Sequence, residues 1–326
     1  ALNLYAGEQF DLSTGGSIVV VDGNLTIRGN DDGAGNTVST GDNFIGVDVK
    51  DSITTSGTGN IVIRGIGGDT GGSNEGVSLS ASATLIESTA TGASAGTITL
   101  IGKGGASTSD FARGVEINGS SSITSVDGDI SITGTGDDSG GTGNRKHGVR
   151  IGASGTTISS TGTGANAANI TIVGVGGPQT TSGDEHGVST GSGATINTVD
   201  GDISITGTAG GTTAASDASG IRLGIPITAT GTGSITLTGT GATSAGGDQS
   251  GVYFFDAAAD ITTDSGNITI VGTAGSGGTE GIETVTGSSI GDGSTTGTIT
   301  LRSDNTIDLN VAAQSSGALV VEPITA

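Results

Sequence analysis

The chain has no cysteine, no methionine and no tryptophan. Without thiols there is neither a disulfide framework nor a thiolate metal site. Proline occurs only 3 times beside 66 glycines in 326 residues. That excludes a collagen-like chain, which needs glycine at every third position and abundant proline. Two tyrosines and five phenylalanines are the whole aromatic content, which suits a thin aliphatic core. Bases are scarce as well: 10 Lys and Arg stand against 32 Asp and Glu, for a net charge of −22. Nucleic acid is therefore not expected as a partner, because its affinity rests on cations that neutralise phosphates. The negative charge favours solubility instead. No stretch approaches the ~20 apolar residues that a membrane-spanning helix requires, so no membrane span is expected. The chain begins at Ala1 with no basic segment leading into an apolar run, and it reads as a mature chain that has lost any secretion signal. The expected location is extracellular or at the cell surface.

What the sequence does contain is a repeat. Gly201-Asp202-Ile203-Ser204-Ile205-Thr206-Gly207 gives the template Gly-x-Ile-x-Ile-x-Gly. It recurs at Gly23–Gly29, Gly59–Gly65, Gly96–Gly102, Gly128–Gly134, Gly233–Gly239 and Gly266–Gly272, with looser copies from Ala168 and Gly297. The mean period is about 34 residues, in the range of solenoids, propellers and arrays. Within each copy apolar residues alternate with polar ones, the signature of a half-buried strand. A disordered Gly/Ser/Thr-rich chain has no reason to keep that alternation.

Two further elements keep the same period. One is Gly-Val-x-apolar, as in Gly114-Val115-Glu116-Ile117, Gly148-Val149-Arg150-Ile151 and Gly220-Ile221-Arg222-Leu223. The other is a short Ile-Thr or Ile-Ser element, as in Ile123-Thr124, Ile158-Ser159 and Ile261-Thr262. Three short strands per repeat predict an all-β parallel β-solenoid of nine to ten rungs, a rod roughly 45–50 Å long at ~4.8 Å per rung. A β-propeller is the competing architecture, but its blades need four strands and carry aromatic signatures. Between the Gly-x-Ile-x-Ile-x-Gly strand and the next Gly-Val, the length varies, as at 135–147 and 208–219. This places variable loops on one edge of the rod, where insertions cost little. The expected organisation is one solenoid domain over 1–326, with leading strands in 1–22, repeats in 23–303 and closing strands in 304–326.

With these units the chain resembles the haemagglutinin-like and β-strand-repeat surface proteins of bacteria. That resemblance covers nearly the whole length and implies a right-handed parallel β-helix. The secreted haemagglutinins carry an N-terminal cap with an Asn-Pro dipeptide, whereas the prolines here follow Gly177, Ile225 and Glu322.

Several groups of residues are candidates for chemistry. Thr26, Val62, Thr99, Ser131, Thr171, Ser204, Thr236, Thr269 and Thr300 form one outward register, a flat hydroxyl face of the kind that can bind ice or glycan. Threonine also simply suits an exposed strand position, and Arg28, Arg64, Ile101, Val173 and Arg302 break the neighbouring column. The only histidines, His147 and His186, precede Gly-Val on consecutive repeats, with Asp184 and Glu185 beside the second. A surface metal site there competes with two polar loop ends on adjacent rungs. Asp127/Asp129 and Asp200/Asp202 recur two rungs apart, at ~9.6 Å, the loose end of the spacing for inverting glycoside hydrolysis. Asn24, Asn60, Asn169 and Asn267 share the second position of those pairs, which favours turn chemistry. Polysaccharide lyases also want a basic residue, and the only lysines are Lys50, Lys103 and Lys146. Asp31-Asp32 and Asp137-Asp138 lack a specific calcium spacing. Glu116 and Arg150 sit at equivalent outward positions, where a cross-strand ion pair is expected.

The reading that follows is non-enzymatic: no catalytic residue, cofactor or metal ligand is assigned. It is an extracellular structural subunit that stacks head to tail on itself into a filament or sheath-like layer. The expected assembly interface is Leu2, Leu4 and Tyr5 at one end and Leu319, Val320 and Val321 at the other. A cell-surface adhesin binding polysaccharide or protein through its loops is the alternative, and a polysaccharide-active enzyme the third.

Overall fold

The computed structural model describes residues 1–107, 110–137, 144–178, 184–211, 217–243, 247 and 249–324. The chain winds as a parallel β-solenoid, and each turn contributes one strand to each of three parallel sheets. Among the described residues these sheets hold eleven, ten and nine strands. The one helical element among them is a single 3-10 turn at Gly164–Asn166. The Gly-x-Ile-x-Ile-x-Gly segments build the first sheet, as at Ile130–Thr135 and Ile203–Thr208. The Gly-Val-x-apolar segments build the second, as at Val149–Ile151, and the Ile-Thr segments build the third, as at Ser122–Ser125.

Alternation decides which side chains go inside. In Ile203–Thr208 the isoleucines are buried and Ser204 and Thr206 are half-exposed. Ile203 pairs in register with Ile170 on one rung and Ile235 on the next, and Ile205 with Ile172 and Leu237. Identical positions therefore stack into aliphatic ladders along the rod. The second sheet adds Val115, Val149, Val188 and Ile221, and the third adds Ile123, Ile158, Ile196 and Ile227. Each fully buried aliphatic side chain stabilises the fold by ~1.5–3 kcal/mol relative to exposure.

The closing glycine of the template has a steric cause. A Cβ on Gly207 would overlap the backbone carbonyl oxygen of Gly220, where the chain enters the second sheet. Only a residue without a side chain allows the two backbones to approach there. At the opposite corner, inward hydroxyls close the turn. Ser88 Oγ donates to the Gly96 carbonyl at 2.6 Å and Thr263 Oγ1 to the Gly266 carbonyl at 2.7 Å. This satisfies polar groups inside an apolar column.

The leading stretch 1–22 already forms a turn of the solenoid. Leu2–Ala6 pairs with Leu25–Gly29, Phe10–Leu12 with Val47–Val49, and Ser17–Val20 with Ser52–Thr55. At the far end, Leu319–Pro323 pairs in register with Ile299–Ser303.

Candidate functional site

The structure aligns the repeats on Gly-Val and brings the scarce cations together. The residue before the glycine is Arg113, His147 and His186 on three successive rungs. Two residues after the glycine, the outward column reads Glu116, Arg150, Ser189, Arg222 and Tyr253. Between these columns lies a cleft of about 330 Å³. Arg113, Arg145, Arg150 and Arg222 line it, with His147, His186, Ser189 and a single carboxylate, Asp184. Four of the chain's ten Lys and Arg residues, and both of its histidines, thus face one cavity in a protein of net charge −22.

The histidines are not loop ends at the surface. Both are buried, and their rings stack at 5.2 Å between centroids and 20° between planes. His186 Nδ1 accepts the Ser219 backbone N–H at 3.1 Å, which leaves the other ring nitrogen to carry the proton. His147 Nδ1 is buried without a hydrogen-bond partner. Among the described residues no three His, Cys, Asp or Glu side chains converge as metal ligands. Asp184 lines the cleft, whereas Glu185 turns into the interior and is fully buried.

The expected Glu116–Arg150 ion pair does not form, although the two are register partners. Glu116 is taken by Arg113, three residues upstream on its own rung. The Arg150 guanidinium donates to the Ile151 carbonyl instead. Arg222 lies 3.3 Å over the Phe255 ring, and Arg113 4.7 Å over that of Phe111. Burial, with the charges of Arg113, Arg222 and Arg145 nearby, lowers the Arg150 pKa to about 10.

The aspartate pairs lie elsewhere. They hold the turns before the first sheet by bonding from rung to rung. Asp200 accepts N–H bonds from Gly164 at 2.7 Å and Thr232 at 2.8 Å, which lower its pKa. Asp129 accepts from Asn169, Asn169 from Asp202, and Asp202 from Ser234. Asp127 accepts from Gly92 at 2.6 Å. Each carboxylate is thereby occupied with a backbone N–H of a neighbouring rung. Asp31 binds Arg64 at 3.1 Å, and Asp32 is held inside its own loop by Ala34 and Asn36. Asp137 forms a buried ion pair with Lys146 at 2.9 Å, while Asp138 lies outside the described residues. The hydroxyl register Thr99, Ser131, Thr171, Ser204, Thr236, Thr269 runs unbroken along the first sheet.

The end residues divide by facing. Leu2 and Leu4 stand in register with the buried Leu25 and Ile27, and Leu319 and Val321 with the buried Ile299 and Leu301. These four continue the register of the core ladders, and Leu4 packs against the core. Val320 continues the hydroxyl column beside Thr300 and Tyr5 the neighbouring outward column beside Arg28, whose guanidinium lies 4.7 Å over the Tyr5 ring.

Buried ionisable groups predict a pH profile. Burial pushes the Glu185 carboxyl from its ordinary 4.5 up to about 8, and the Glu75 carboxyl, with Glu116 nearby, up to about 7. Burial lowers His186 from 6.5 to about 3 and holds His147 well below 6.5, with His186 adding to the effect. Carboxyls that bind their protons more tightly when folded lend stability in acid and withdraw it as pH rises from 4.5 to 8. Histidines kept neutral by the fold withdraw stability as pH falls below 6.5. The thermal midpoint is therefore expected to plateau between pH 4.5 and 6.5 and to fall on either side. Glu185→Gln should flatten the fall between pH 6.5 and 8 in a calorimetric series; an unchanged alkaline limb refutes the assignment.

No protein-family model, no curated protein and no solved structure matches the chain.

Proposed function

We propose that this solenoid is a non-enzymatic structural subunit of an extracellular filament or surface layer, built by head-to-tail stacking of copies. The observation that carries this reading is the open apolar core at both terminal turns. Leu2 in the first turn, and Leu319 and Val321 in the last, stand in line with buried core residues and are themselves exposed. Leu2 is 41% exposed, Leu319 52% and Val321 59%, where equivalent residues one rung inward are fully buried. Among the described residues, Leu2–Ala6 and Leu319–Pro323 each pair with one strand only, so each leaves a row of backbone groups unpaired. A hollow of about 370 Å³ opens at the last turn, lined in part by Ile307, Val321 and Pro323.

All strands run parallel, so the two ends are different surfaces. One end complements the other, and neither complements itself. Such a heterologous contact does not close and runs on into a filament. In the stacked pair, Leu319 and Val321 continue the ladders through Leu2 and Leu4 of the next copy.

The polarity supplies the test. Leu4→Lys spoils one end and Val321→Lys the other, so each variant alone should give no filaments by electron microscopy. Mixed together, they retain one good end each and should form a dimer and nothing longer in analytical ultracentrifugation. Intact chains that stay monomeric at high concentration, or a mixture that stays monomeric, would overturn the proposal.

A further inference from the structure

We infer that the cleft between the second sheet and the loop edge is a binding site for a small oxyanion, the carboxylate or sulfate group of an acidic sugar. The inference is independent of filament formation, because the cleft lies on the side of the rod and not at an end.

The first argument is concentration of charge. An acidic protein has no structural need to collect four of its ten cations around one cavity. Structural arginines are normally matched by carboxylates, since a buried guanidinium without an anion carries a large desolvation cost. Here only Arg113 has such a match, in Glu116. Among the described residues no carboxylate oxygen lies within ion-pair distance, 4.0 Å, of Arg145, Arg150 or Arg222. Asp184 is the one carboxylate that lines the cleft, while Asp217 and Asp256 act on Arg222, and Glu116 on Arg150, from outside ion-pair distance. Burial first, and then the charges of Arg113, Arg222 and Arg145, weaken the hold of Arg150 on its proton. An anion seated among them relieves that repulsion.

The second argument is geometry. Arg150 and Arg222 occupy the same column two rungs apart, roughly 9.6 Å at ~4.8 Å per rung. Ser189 lies between them and offers a hydroxyl. Planar guanidinium forks at that separation can grip the oxygens of one group from two sides. The neutral His186 ring, with Nδ1 occupied by the Ser219 N–H, keeps a donor nitrogen free of net charge. His147, 4% exposed on the cleft wall, keeps a ring nitrogen without a protein partner.

The third argument concerns size and field. A volume of about 330 Å³ falls in the range of small-molecule pockets, about 300–1,000 Å³, and exceeds the need of a bare ion. The Phe255 ring, with Arg222 3.3 Å above it, holds that guanidinium in place beside the cleft. A rod of net charge −22 repels an extended polyanion such as nucleic acid but admits a single acidic unit into a local positive cleft.

The test is calorimetric titration of the whole chain with glucuronate and, separately, with inorganic sulfate. Wild type should bind at least one of them, with an affinity that drops tenfold or more in Arg150→Gln/Arg222→Gln and falls with added salt. Tighter glucuronate binding identifies an acidic sugar as the ligand source. Equal or tighter sulfate binding identifies a free oxyanion with the same recognition chemistry. The single variant Arg222→Gln should show an intermediate loss, and it serves if the double variant fails to give the wild-type circular dichroism spectrum. If neither probe binds, or if binding survives in a folded Arg150→Gln/Arg222→Gln or Arg222→Gln chain, the inference is wrong.

Discussion

Ile203→Asp is expected to destroy cooperative folding around the middle of the rod, while Thr208→Asp, five residues later on the same strand, leaves it intact. Ile203 is 1% exposed and stacks between Ile170 and Ile235. The substitution forfeits ~1.5–3 kcal/mol of apolar burial. It also puts a carboxylate among aliphatic side chains, where no partner meets it, at a cost of several kcal/mol more. Each rung of a solenoid is stabilised by its neighbours, so the loss spreads to the rungs on either side. Thr208 is the exposed last residue of its strand, and a surface change there is worth within about 0.5 kcal/mol. Urea denaturation followed by circular dichroism separates the two. Equal shifts of the midpoint would mean that the register assigned to the first sheet is wrong.

That register was legible in the sequence because the same period of two recurs at every copy of Gly-x-Ile-x-Ile-x-Gly. The three-part repeat, the variable edge and the inward identity of residues such as Ile130, Ile132 and Ile205 follow from alternation alone. The reason for the closing glycine was not legible. It depends on the approach of Gly207 to Gly220 across a loop whose length changes from rung to rung. The cleft was hidden for the same reason. His147 and His186 were visible as equivalent positions, but Arg150 and Arg222 sit in another column with Ser189 between them. Their nearness depends on superposing rungs separated by loops of unequal length. A signal was present, since aligning the repeats on Gly-Val puts Arg113, His147 and His186 in one column and Arg150 and Arg222 in the next but one outward. Glu116 and Arg150 show the limit of column reasoning. Adjacent positions on neighbouring rungs do not ensure a bond when a closer cation, Arg113, lies on the same rung. Asp127, Asp129, Asp200 and Asp202 fit local turn positions; their bonds to N–H groups of neighbouring rungs are a long-range feature that local turn chemistry does not contain.

Removing the charge of Lys146 should cost nearly as much as breaking the core. Lys146 is the largest fully buried side chain among the described residues, and its ammonium lies 2.9 Å from the Asp137 carboxylate, itself only 1% exposed. Taking two ions out of water is expensive, and their mutual attraction offsets that cost only while both are present. Lys146→Met keeps the aliphatic stem and fills a similar volume, so packing changes little. What remains is a buried carboxylate without its cation, a situation that costs ~3–5 kcal/mol. Asp137 also accepts the Ser107 backbone N–H at 3.3 Å. Asp137→Asn can keep that acceptor while removing the charge, so Lys146→Met/Asp137→Asn should recover most of the loss. The pair thus predicts a strong non-additivity in a double-mutant cycle. Chemical denaturation of the two single variants and the double variant measures it. Additive losses would mean that the two charges do not depend on each other, and that the loop base is held by its backbone bonds and not by the buried ion pair.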